Sequence, residues 1–186
     1  MAVKPQPTKL VTGKVRLSYA FLTAPKKNDA GEDVWSCQVL IPKSDTATIE
    51  KYKACIAAVK ASPAAVGKWG GKVPGELKLP LRDGDASADE FPERKGCWFF
   101  NANAYEAPKL VDANLQPIMD ASEIYSGIYG RVSVNFFAFN NSGNKGIGVG
   151  LNSVQKLKDG EPLGGVRSKP EEDFGDGFED DDDFLD

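Results

Sequence analysis

Phe99, Asn101, Asn103 and Tyr105 fall at alternate positions of one apolar run, and Arg131, Ser133, Asn135, Phe137 and Phe139 do the same in another. Alternate residues of a strand share a face. Each run therefore opposes this mixed set to an apolar one, Trp98, Phe100, Ala102 and Ala104 in the first and Val132, Val134, Phe136 and Ala138 in the second. Rings, amides and a cation on one solvent face can stack on unpaired bases and neutralise phosphates. Lys14 and Arg16 extend that set. The same rings, Phe99, Phe137 and Phe139, can instead lie beneath a helix or a long connection as a second small core, because large apolar side chains are mostly buried.

Two further features admit a ligand or a structural reading. Lys68-Trp69-Gly70-Gly71-Lys72 sets an indole between two lysines beside flexible glycines. A mobile loop of this kind can lay Trp69 on a base, or the indole can anchor the loop against the body. Gly146, Gly148 and Gly150 leave one face of a strand bare. That face admits a backbone, a ligand or a base, or simply lets a barrel close; with no helix following, a dinucleotide-phosphate loop is not expected.

The chain has no histidine, which removes Ser/His and Cys/His catalysis and His-liganded zinc together. Cys37, Cys55 and Cys97 form no CxxC pair, and buried thiols are expected. Asp83 and Asp85, with Asp89 and Glu90, are the only cluster that suggests a metal-dependent nuclease. A turn in which Arg82 pairs an aspartate is the better expectation, and no metal or cofactor is expected.

Charge divides the chain sharply. Residues 1–170 hold all 23 Lys and Arg against 17 of the 27 Asp and Glu, a net of +6, while residues 171–186 hold the other ten carboxylates, a net of −10. A basic body attracts polyanions, and a tethered acidic tail can occupy the same surface or recruit a partner. No stretch approaches the length of a membrane span, and the first fourteen residues lack the apolar centre of a signal peptide, so no membrane role and a cytosolic location are expected.

The elements that would position these residues read as mainly β. Residues 10–22 alternate, with Val15, Leu17, Tyr19 and Phe21 on one face, and residues 34–41 repeat the pattern, so the two form a hairpin. Ser44 and Asp45 offer caps to an amphipathic helix reaching Ala61, with Ile49, Tyr52, Ile56 and Val59 on one side. Pro63 stops it. A long irregular connection follows to Arg94, with a helical turn at 66–69 and a short strand at 76–81. Strands resume at 97–105, 131–140 and 147–157, the last two joined by an Asn-Asn-Ser-Gly-Asn turn. Five strands and one helix suit an OB-fold-like barrel better than a sandwich. Residues 1–165 are expected to form this domain and residues 166–186 a disordered acidic tail.

The order of Pro80-Leu-Arg-Asp-Gly-Asp85, Gly96-Cys-Trp-Phe-Phe-Asn-Ala102, Ser122-Glu-Ile-Tyr-Ser-Gly127 and Lys145-Gly-Ile-Gly-Val-Gly-Leu-Asn152, closed by the acidic tail, resembles bacteriophage single-stranded-DNA-binding proteins. The likeness spans residues 10–157 and the tail. It implies a non-enzymatic OB-fold protein that coats single strands during phage replication and recombination in the cytoplasm of the infected bacterial host. It also implies an acidic C-terminus that contacts phage or host replication proteins. T7-like relatives end their tails in an aromatic residue, whereas this chain ends Phe184-Leu185-Asp186.

Strand phase, rather than the resemblance, selects the residues expected at DNA: Lys14, Arg16, Lys68, Trp69, Lys72, Phe99, Asn101, Tyr105, Arg131, Asn135, Phe137 and Phe139. The expected partner-binding tail comprises Phe174, Phe178, Asp180, Asp181, Asp182, Asp183, Phe184, Leu185 and Asp186. Open strand edges permit a homodimer. The competing reading is a phage tail or capsid protein that uses a β-barrel for assembly.

Overall fold

In chain order the elements are β1 (Lys9–Val11), β2 (Val15–Lys27), β3 (Asp33–Pro42), α1 (Thr46–Ala61), α2 (Pro63–Lys68), β4 (Arg82–Asp83), β5 (Cys97–Ala104), β6 (Lys109–Val111), β7 (Tyr129–Asn141) and β8 (Asn144–Lys158). This computed structural model describes residues 7–163 and Gly175. The tail residues singled out above, Phe174, Phe178 and Asp180 to Asp186, lie outside the described residues, as does the domain boundary at 165.

β2, β3, β5, β8 and β7 pair in that order, and β7 returns to β2 through Val15↔Gly130 and Arg16↔Tyr129. Five strands thus close a ring, and they are the five that the alternation locates. The contact of β5 with β8 is parallel, at Asn103↔Gly150; the other four ring contacts are antiparallel. Two three-residue strands escape the periodicity: β1 lies along β7, and β6 lies along β8. The strand expected at 76–81 reduces to one bridge, Lys78↔Gly146, because the ladder in this connection forms later, where β4 pairs β5.

Inward-facing residues fill the ring. Leu17, Val39, Ile41, Phe100, Ala102, Val132, Val134, Phe136, Ile147 and Leu151 are all buried. Phe100 and Phe136 meet edge to face at 6.2 Å, and Tyr52 of α1 meets Phe136 at 5.4 Å, so the helix plugs the ring with a third ring of the same stack. α1 begins where expected: Asp45 accepts from the Thr48 amide at 3.1 Å and from its hydroxyl at 2.6 Å. Ser62 ends it in an extended conformation, and Pro63 opens α2 at the first helical position rather than ending helix altogether.

The register of β2 corrects the expected phase. A bulge between Ser18 and Phe21 shifts its pairing with β3, and Tyr19 sits at φ 47°. Tyr19 and Phe21, expected on the core face, therefore point outward, and Leu22 takes the buried position.

Cys37 and Cys55 are buried and Cys97 half-buried; burial pushes the Cys37 thiol up to about 12. Among the described residues no helix is long and apolar enough to cross a membrane.

Truncating Phe100, which is fully buried against Phe136, should cost about 3–5 kcal/mol in urea unfolding. A loss below about 1 kcal/mol would mean that the aromatic stack does not hold the ring together.

Candidate nucleic-acid interface

The β7–β8 hairpin turns through Ser142 at φ 54° and Gly143 at φ 86°, the positive pair that a two-residue turn of this twist requires. That turn sets Phe137 opposite Gly148 and Phe139 opposite Gly146. A Cβ on Gly148 would come within 2.7 Å of the Phe137 ring, and one on Gly146 within 2.6 Å of the Phe139 ring. The bare stripe of β8 is thus filled by phenyl rings lying across it. Phe137 keeps 46% of its surface exposed, and Phe139 is half-buried. Both floor a groove of about 910 Å³ whose other wall carries Tyr105, 68% exposed, with Glu106 and Lys109.

Trp69 does not join them, although the sequence allowed it. It is buried, and its indole N–H donates to the carbonyls of Phe139 and Gly146 at 3.2 and 3.3 Å. The neighbouring chain is stitched to the same hairpin: Lys145 Nζ donates to the Trp69 carbonyl at 2.7 Å, Asn140 Nδ2 to the Lys68 carbonyl at 3.0 Å, and the Ile147 amide to the Lys78 carbonyl at 2.9 Å. Trp69 is the anchor of the long connection. No face of its ring is left for a base.

Phe99 is also removed from the candidate set. It is buried under residues 82–95, with Arg82 paired opposite it and the Arg94 guanidinium 4.3 Å from its ring. This cover is fastened by Lys43, whose Nζ reaches Asp83 and Asp85 at 2.7 Å each and lies over the Trp98 ring. The aspartates pair with Lys43, not with the expected Arg82. Their carboxyls are held below the ordinary carboxylate value, Asp83 chiefly by Lys43 and Asp85 chiefly by the Gly96 amide and then Lys43. The fastening is therefore complete above that ordinary value and is lost as pH falls through the depressed one. Among the described residues no three carboxylates or thiols converge as a metal cage.

A second groove, of about 380 Å³, opens beside this cover. The β2 bulge supplies Tyr19 and Phe21, 46% and 40% exposed, and Lys26 Nζ lies 5.0 Å from the Phe21 ring. Arg94, Gln38, Asn101 and Asn103 complete it. Of these, only Asn101 was expected in the site. Tyr19, Phe21 and Lys26 escape a strict period of two because the bulge reverses the phase of β2 midway, and Arg94 escapes it because it lies in the cover before β5, outside any strand. Asn103 lines both grooves.

The remaining cations are dispersed. Lys14 and Arg16 gather with Lys158 around the Tyr129 ring at 4.8–5.8 Å, beside a small pocket that shares no residue with either groove. Arg16 is committed to the carbonyls of Gly127 and Glu161 at 3.2 and 2.6 Å. Arg131 donates to the Thr12 carbonyl at 2.8 Å, and Lys68 and Lys72 are exposed on the connection. Asn135, on β7 opposite Gly150 of β8, donates its amide to Asn152 at 3.3 Å, and its carbonyl oxygen is buried without a partner among the described residues.

A closed five-strand ring with ring-lined and cation-lined outer grooves defines the oligonucleotide/oligosaccharide-binding class of domain. The chain belongs to the family of the Enterobacter phage Enc34 ssDNA-binding protein, whose model matches residues 8–185. That family is one of phage single-stranded-DNA-binding proteins, which are not enzymes, as the resemblance implied. A relative described as putative protein p50, from Acyrthosiphon pisum secondary endosymbiont phage 1, is 32% identical over 176 residues, covering 88% of this chain and 91% of its own. The single-stranded DNA-binding protein of bacteriophage Enc34, solved in complex with ssDNA, superposes with a TM-score of 0.73 at 27% identity, over 88% of this chain and 97% of that one. Bacteriophage T7 gp2.5, a single-stranded DNA-binding protein, shares the fold with a TM-score of 0.62 at 18% identity, over 93% and 96% of the two chains.

Trp69→Phe, which keeps most of the buried ring but removes the N–H shared by two carbonyls, should lower stability by about 1–3 kcal/mol. An unchanged urea midpoint would show that packing alone anchors the connection.

Proposed function

We propose that this protein binds single-stranded DNA largely without regard to sequence, and coats and protects it during phage DNA replication and recombination in the cytoplasm of the infected bacterium. The observation that carries the reading is the groove floored by Phe137 and Phe139, whose rings lie across glycines and face Tyr105. Flat exposed rings hold unpaired bases by stacking, at about 1–3 kcal/mol per base, and every base has such a face. Bases inside a duplex do not offer theirs, so the preference for single strands follows from geometry. Asn101 offers its amide on the outer surface, and Lys14, Arg16, Lys68, Lys72 and Arg131 contribute to a basic field that draws the phosphates in from several sides. That the Enc34 protein was solved in complex with ssDNA supports single-stranded DNA as the ligand.

The tail enters through its charge. Ten carboxylates in residues 171–186 imitate a phosphate chain, compete for the basic surface, and are displaced by DNA. Displacement frees Phe174, Phe178, Phe184 and Leu185, among the aspartates, for a replication protein of the phage or host.

Fluorescence anisotropy on labelled oligothymidylate tests both parts. Affinity should fall steeply with salt, log K losing about 0.7 per decade for each phosphate neutralised, and should far exceed that for duplex. Deleting residues 171–186 should tighten binding. Salt-independent or duplex-equal binding contradicts the first part, and unchanged affinity on truncation contradicts competition by the tail.

A further inference from the structure

Three cations crowd one ring where the chain leaves the barrel. Lys14 Nζ, the Arg16 guanidinium and Lys158 Nζ lie 5.8, 5.4 and 4.8 Å from the centre of the Tyr129 ring, and Lys95 lines the same pocket of about 260 Å³. One carboxylate, Glu93, shares that lining. None of the four cations forms an ion pair among the described residues, whereas Lys43 and Lys156 each take two carboxylates. Arg16 is fixed by the carbonyls of Gly127 and Glu161, which orient its guanidinium without neutralising it. Like charges gathered on one surface repel, and the ring face offsets only about 0.5–1 kcal/mol for an exposed cation. The patch is the complement of a polyanion.

Its place in the fold selects which polyanion. The Leu163 amide donates to the Ser126 carbonyl at 2.8 Å, and Ser126 is three residues, at most about 11 Å of chain, from Tyr129. Asp159 is held in turn by the Tyr125 hydroxyl at 2.8 Å and by Lys156 at 2.6 Å, so the chain after β8 is fastened beside the patch. Seven residues, 164–170, then separate Leu163 from Glu171, the first of the ten carboxylates of the tail. That length spans at most about 29 Å, which brings the whole acidic segment within reach of Tyr129.

The stacking groove is a poorer match. Phe137 lies eight residues along β7 from Tyr129, about 26 Å away. Its groove sets one cation, Lys109, against one carboxylate, Glu106, and so offers an anionic chain no net attraction. At Tyr129 the balance is four cations to one carboxylate. A short tether also gives the tail an effective concentration on the order of millimolar, so a contact of only millimolar affinity is already about half occupied.

We infer that residues 171–186 seat on the patch formed by Lys14, Arg16, Lys95 and Lys158 around Tyr129 of their own chain, and that tail and DNA compete there, at cations that attract phosphate, while the rings at Phe137 stay open. The competition rests on the reading above, in which the tail contends with DNA for the basic surface; the seat itself does not.

Zero-length carbodiimide cross-linking of the full chain without DNA, followed by peptide mapping of the monomer band, tests the seat. Links from residues 171–186 to Lys14, Lys95 and Lys158 should exceed those to Lys26, Lys68, Lys72 and Lys109 about threefold or more, and should fall when oligothymidylate is added. Links spread evenly over these lysines, links centred on Lys26 or Lys109, or patch links found only in a dimer band would each overturn it. Anisotropy on oligothymidylate supplies the second arm. The factor by which deletion of residues 171–186 tightens binding should shrink about threefold or more in a Lys14→Gln/Lys158→Gln background, because the tail has lost its seat. Both lysines are exposed, so the fold is not at stake. An undiminished factor overturns the seat and leaves competition elsewhere on the surface standing. Patch links in a protein whose affinity does not change on truncation support the seat and remove the competition.

Discussion

Asn141 and Asn144 face each other across two residues, and the register set by that turn runs unbroken back to Val134↔Leu151, where a bulge shifts it. It brings phenylalanines onto glycines: Phe137 onto Gly148 and Phe139 onto Gly146. A side chain at either glycine would lift the ring off the sheet. With hydrogen there, each ring lies across the neighbouring strand with one face toward solvent. A slip of one residue would send these rings inward and expose Phe136 and Ala138 instead. The core does not allow it, because Phe136 is locked edge to face between Phe100 and Tyr52. The same stack that stabilises the ring therefore fixes which aromatics it can show outside.

The outer surface divides by charge as well as by shape. Several cations are already occupied: Lys43 fastens the 82–95 cover, Lys156 is shared between Glu123 and Asp159, and Arg16 holds the chain where it leaves the ring at Glu161. The partly exposed ion pairs of Lys43 contribute little to stability. Their consequence is positional, since each fixes a segment that borders the sheet. The Lys43 fastening keeps Phe91 to Lys95 over β5, and that cover in turn buries Phe99 and delivers Arg94 to the open part of the face.

Long alternations were legible and short or broken ones were not. The five ring strands, the Asp45 cap and the hairpin turn could be read because each carries a period or turn signal over many residues. β1 and β6, at three residues, carry none. Tyr19 and Phe21 were misplaced because the bulge inserts its phase change at an ordinary tyrosine, without a glycine or asparagine to mark it. Phe99 had a usable signal: Trp98-Phe99-Phe100 is a continuous apolar run, which points to a strand covered on both faces rather than one. Trp69 could not be assigned, since two lysines and two glycines surround an anchor as readily as a stacking ring. The glycine stripe was seen but not its occupant, which depends on cross-strand register, a long-range property.

The central claim is that bases rest on the rings laid across β8. Photocross-linking of oligothymidylate carrying 5-iodouracil, followed by peptide mapping, tests it most directly. Adducts should fall on Tyr105, Phe137 and Phe139. Adducts confined to Tyr129 and the peptides around Lys14 and Lys158, with none on β7 or the 103–109 segment, would contradict it.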